Sequence, residues 1–87
     1  MKNYVEGELL SSKNFAELED DLTSLGYEIE GTRFRKYGQV ESIVNELAPL
    51  VASRGVDVST NLFLEEYNND GIITGKYSNG KISRFHT

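Results

Sequence analysis

The stretch QVESIVNELAPLVASR, residues 39–54, constrains the fold of this chain more than any other. Val40, Ile43, Val44, Leu47, Leu50 and Val51 recur at the three- and four-residue steps that draw one apolar stripe along a helix. Glu41, Ser42, Asn45, Glu46 and Ser53 fall on the other side, and Gly55 follows where a left-handed terminal residue costs glycine least. Pro49 interrupts the pattern, since an interior proline removes one backbone bond at a cost of ~3 kcal/mol. It falls on the solvent side, where water can satisfy the carbonyl of Asn45. The spacing predicts a helix kinked at Pro49, or two short helices meeting there. Such a helix locates the core but carries no chemistry.

The rest of the chain reads mainly as strands. NYVEGELL, residues 3–10, alternates loosely, with Gly7 a bulge or a point of close approach. Asn14 is an N-cap with Glu17 three residues on, as in a capping box. The helix it starts has Phe15, Leu18, Leu22 and Leu25 as its stripe and ends at Gly26. Residues 27–37, YEIEGTRFRKY, read as a hairpin with a type II′ loop at Gly31-Thr32. That loop pairs Glu30 with Arg33, Ile29 with Phe34 and Glu28 with Arg35, placing opposite charges across one face. A single strand bulged at Gly31 is the alternative.

Beyond the central helix, Val56, Val58, Thr60, Leu62 and Leu64 alternate with polar residues, as a half-buried strand would. Residues 68–71, NNDG, form a turn, and residues 72–77 another strand. Asn79-Gly80 predicts a type I′ hairpin pairing Tyr77 with Ile82 and Lys76 with Ser83, its last strand running to residue 86. The expected class is α+β, in one domain over residues 1–87. It is an antiparallel sheet with two helices on one face, β-α-β-β-α-β in ferredoxin-like order, plus a C-terminal β-meander.

Composition narrows the chemistry. Without cysteine there is neither a disulfide framework nor a thiolate zinc site, and one histidine excludes a multi-histidine centre. No apolar run approaches the ~18 residues of a membrane span, and no signal-peptide core opens the chain, so the expected compartment is the cytoplasm. The net charge of −5 argues against general nucleic-acid binding. The charge is uneven: residues 1–30 hold eight acids against two bases, whereas residues 31–38 hold three bases and no acid.

No constellation supports catalysis. Residues 66–77 resemble a calcium loop at Glu66, Asn68, Asp70 and Gly71, but Tyr77 stands where the bidentate glutamate belongs. His86 lies at a chain end, and no glycine-rich phosphate loop opens a helix. The expectation is a non-enzyme with no cofactor.

Two surface features carry the functional reading. Glu17, Asp20 and Asp21 on the first helix, extended by Glu41 and Glu46 on the second, form an acidic face of nucleic-acid-like sign. It suits a small inhibitor or modulator of a larger, nucleic-acid-handling protein, of phage anti-defence or antitoxin type, with Tyr4, Tyr37 or Tyr67 as anchors. The alternative is a single-stranded RNA or DNA module using Arg33, Arg35, Lys36 and Tyr37, helped by Lys76 and Arg84. A homodimer through a free last strand is also open.

Overall fold

A computed structural model describes residues 2–85, so His86 lies outside the described residues. The chain runs through β1 (Tyr4–Leu9), α1 (Ser12–Ser24), β2 (Glu28–Glu30), β3 (Arg33–Tyr37) and α2 (Val40–Ser53). It continues with a single turn α3 (Val58–Asn61), then β4 (Leu62–Tyr67), β5 (Ile73–Ser78) and β6 (Lys81–Arg84). The six strands form one sheet in the order β2-β3-β1-β4-β5-β6, with every neighbouring pair antiparallel. The protein is therefore α+β, and among the described residues no helix is long and apolar enough to cross a membrane.

Alternation along the strands sends one set of side chains to each face. Val5, Leu9, Phe34, Leu62, Leu64 and Tyr77 point inward. They join Phe15, Leu18 and Leu22 of α1 and Val40, Ile43, Leu47 and Val51 of α2 in one buried cluster. Both long helices thus cover the same face of the sheet, and the other face is left uncovered. The hairpin registers at Gly31-Thr32 and Asn79-Gly80 are those the sequence predicts. Gly31 alone has positive φ in the first loop, whereas Asn79 and Gly80 both have it in the second, as type II′ and I′ turns require.

Two local expectations are corrected, and the alternative at Pro49 is decided. The N-cap of α1 is Ser11, not Asn14; the Ser11 hydroxyl accepts the Asn14 amide at 3.4 Å. Residues 58–61 form a helical turn rather than the start of a strand. The Asp57 carboxylate caps the Ser59 amide at 3.1 Å, and the Asn61 side chain donates to the Asp57 carbonyl at 2.8 Å. The helix through Pro49 is one continuous α2, not two pieces. Pro49 is exposed, so its penalty is carried by packing of the buried stripe on either side. Replacing Pro49 with Ala should restore one backbone bond and stabilise the protein by about 1–2 kcal/mol, after the unfolded chain's regained entropy. A urea midpoint equal to or below wild type would contradict this.

The start of α2 is held from across the sheet. Gln39, its N-cap residue, makes no side-chain cap bond. Instead Glu66 of β4, fully buried, accepts the Val40 amide at 2.7 Å. The same carboxylate accepts from Asn3 at 2.8 Å, Thr74 at 2.7 Å and Arg84 at 2.7 Å. Arg84 also grips Glu41 in the first turn of α2, with Nε donating at 2.9 Å. A buried carboxylate at a helix N-terminus meets free amides and the positive end of the dipole. Because Glu66 is turned inward, it is not the first ligand of a calcium loop. The turn after it is closed by Asn68, whose Oδ1 accepts the Asp70 amide at 2.9 Å and the Ile72 amide at 3.0 Å.

Candidate interaction surface

The residues of β1 that do not enter the core, Tyr4, Glu6 and Glu8, stand at the middle of the uncovered face. Register fixes their neighbours. Tyr4 lies between Tyr37 and Tyr67, Glu6 between Arg35 and Glu65, and Glu8 between Arg33 and Phe63. Tyr67 in turn pairs with Ile73 across a register shift in β4 and β5. One end of the face is therefore an aromatic row, Tyr37–Tyr4–Tyr67. Tyr4 and Tyr67 stack with ring centroids 5.3 Å apart and planes at 21°, and the Arg35 guanidinium lies 5.8 Å from the Tyr4 ring centroid. Tyr37 is 67% exposed and closes the row at the β3 side. Burial, then the neighbouring Glu65, raises the Tyr67 phenol above its ordinary range.

Beside this row lies a ladder of charge. Arg33 reaches Glu8 at 3.5 Å, Glu6 at 3.6 Å and Glu65 at 3.8 Å. Arg35 reaches Glu28 at 3.3 Å and Glu6 at 4.0 Å. Each pair is too exposed to add more than about 1 kcal/mol, but together they order the side chains. Cross-strand pairing placed Glu30 opposite Arg33, yet the guanidinium turns to the carboxylates of β1 and β4 instead. The hydrogen bond that Arg35 donates to the Glu28 carboxylate raises the pKa of Arg35 above its usual value. Lys36, grouped with these bases by sequence, points to the helix side. Its Nζ donates to Glu46 at 3.0 Å and sits 4.8 Å over the Tyr27 ring.

No protein-family model, curated protein or solved structure matches this chain. Of the five acids singled out by sequence, three are engaged internally. Asp21 pairs with Arg54 at 2.7 Å, and Glu41 with Arg84. Glu46 accepts from the Tyr27 hydroxyl at 2.5 Å as well as from Lys36. Burial works against the charge on Glu46, and the bonds from Tyr27 and Lys36 more than offset it, so its carboxyl lies below the ordinary value. Glu17 and Asp20, with Glu19, remain exposed along α1. The acidic face is thus confined to one helix.

Sequence reasoning named Tyr4, Tyr37 and Tyr67 separately. What it missed is that Glu6, Glu8 and Glu65 surround the arginines. The signal was present in the alternation: Glu6 and Glu8 share a parity with Tyr4, opposite to Val5 and Leu9.

Proposed function

We propose that this is a binding protein rather than a catalyst, which seats its uncovered sheet face on a larger protein and so inhibits or modulates it. The observation that carries the reading is the row Tyr37–Tyr4–Tyr67 on a face that no helix covers. Tyrosines give large contact area at small entropic cost, and they are frequent anchors of protein interfaces. The ion-pair ladder beside them is mixed in sign, as suits the polar rim of a protein contact. The net charge of −5, with Glu17, Glu19 and Asp20 exposed, supports a basic partner of the kind that handles nucleic acid. We also read β2-β3-β1-β4 with α1 and α2 as the ferredoxin-like plan, widened by β5 and β6.

A second reading, direct binding of single-stranded nucleic acid, draws on Arg35 lying over Tyr4 among exposed aromatics. Five carboxylates on the same face, Glu6, Glu8, Glu28, Glu30 and Glu65, oppose phosphate there. Capture from a lysate, with and without nuclease treatment, separates the readings. Tyr37→Ala should weaken retention of the protein partner about tenfold or more, without altering the fold. Glu17→Lys with Asp20→Lys should change mainly the salt dependence. Recovery of nucleic acid by the wild type, abolished by Arg35→Ala, would overturn the protein-partner reading.

A further inference from the structure

Among the described residues, the two ends of the sheet are free edges of opposite character. At one end β2 reads Glu28-Ile29-Glu30, with both glutamates exposed. At the other, all four residues of β6 are exposed, and the strand reads Lys81-Ile82-Ser83-Arg84. Glu30 and Lys81 have no ion-pair partner among the described residues. The hairpin carrying β6 also concentrates exposed apolar side chains, with Ile82 and Phe85 each 40% exposed and Ile72 49%.

Backbone parity makes the edges complementary as well. Antiparallel ladders alternate hydrogen-bonded and non-hydrogen-bonded pairs, and the pair flanking a two-residue loop is bonded. Glu30 with Arg33 and Glu28 with Arg35 are therefore bonded pairs, which leaves the N–H and C=O of Ile29 directed out of the sheet. In the other hairpin Ser78 with Lys81 and Lys76 with Ser83 are bonded pairs, and the Phe85 amide donating to the Thr74 carbonyl at 3.0 Å continues the same phase. Ile82 then turns its N–H and C=O outward.

We propose that β2 of one copy pairs antiparallel with β6 of a second copy, extending the sheet head to tail. In this register Ile29 faces Ile82 and the two exchange a pair of backbone hydrogen bonds. Glu30 faces Lys81 on the uncovered side, and Glu28 faces Ser83. Strand direction fits without inversion. With β1 taken as up, the sheet order makes β2 up and β6 down, so a translated copy brings antiparallel strands together with its helices on the same side. Pairing of β2 on β2 is disfavoured by the same charges, since it sets Glu28 opposite Glu30 on one face. The contact is heterologous and does not close on itself, so association grows with concentration instead of stopping at a dimer. This inference is independent of the reading of the uncovered face, which stays open in the extended sheet.

Sedimentation equilibrium over a wide concentration range tests it with four chains. The wild type should rise above its 9.8 kDa monomer mass without a plateau at twice that value. Glu30→Lys and Lys81→Glu, each placing like charges in register, should each weaken association about tenfold. The double swap, Glu30→Lys with Lys81→Glu, should restore it. Monomeric wild type at millimolar concentration, a plateau at the dimer, or single variants that associate like wild type would each overturn the proposal.

Discussion

Replacing Glu66 with Gln is expected to cost about 3 kcal/mol of stability, and replacing it with Ala about 3–5 kcal/mol. The reason lies in the donors around it. Val40 N–H, the Asn3 amide, the Thr74 hydroxyl and the Arg84 guanidinium all aim hydrogens at one fully buried carboxylate. A glutamine keeps one acceptor and presents an NH2 to the remaining donors, so at least one buried hydrogen loses its partner. Alanine frees all four and uncaps α2. For a chain of this size the melting temperature should fall by roughly 4–8 °C per kcal/mol.

The acid limb of stability carries the same signature. Burial raises the Glu66 carboxyl pKa, but the bonds from Arg84, Thr74, Val40 and Asn3 outweigh it and bring it down to about 2. A folded value below the unfolded one means that the unfolded chain binds the extra proton. The stabilisation is therefore complete above the ordinary carboxylate value of 4.5 and is lost as pH falls toward 2. Wild-type stability should drop more steeply across that window than that of Glu66→Gln. Parallel pH profiles, or a Glu66→Gln loss under about 0.5 kcal/mol, would contradict the cap.

Gly7→Ala should also be strongly damaging, costing about 2–3 kcal/mol. A Cβ on Gly7 would stand 2.5 Å from Leu64 Cδ2 and 2.6 Å from Phe34 Cε2. Leu64 and Phe34 are directly opposite Gly7 on the two flanking strands, and both are buried, so neither side chain has room to swing aside. The smaller entropy of an unfolded alanine returns less than 1 kcal/mol. Adding Leu64→Val to Gly7→Ala should recover part of the loss, as measured by urea unfolding. A Gly7→Ala protein as stable as wild type would show that the central strands separate more easily than their packing indicates.

Glu66 also marks where the sequence could and could not be read. The alternation Leu62, Leu64, Glu66 already put a carboxylate on the core face, which is a sign of buried polar structure. Its partners come from the N-terminus, α2, β5 and β6, and local periodicity does not encode that meeting. Arg33 repeats the lesson. The hairpin register followed from charge and turn type, but the acids that hold the guanidinium sit on strands placed beside it by the strand order. Residues 56–61 misled because Val56, Val58 and Thr60 alternate over too short a span to tell a strand from a capped turn. Asp57 and Asn61 settle it through bonds of their own. At Pro49 the sequence left one helix or two open, and the burial of Val40, Ile43, Leu47 and Val51 holds a single helix through it.

The tyrosine row was legible as three residues and not as a row, because only the order β3-β1-β4 sets Tyr37, Tyr4 and Tyr67 side by side. Its role is best tested by chemical footprinting of the five tyrosines, with and without the captured partner. Tyr27 and Tyr77, both buried, serve as unreactive controls. Binding through the uncovered face predicts strong protection of Tyr37, with Tyr4 and Tyr67 following, while carbodiimide labelling of Glu17 and Asp20 is little changed. Full reactivity of Tyr37 in the complex, with Glu17 and Asp20 protected, would contradict it and move the interface to α1.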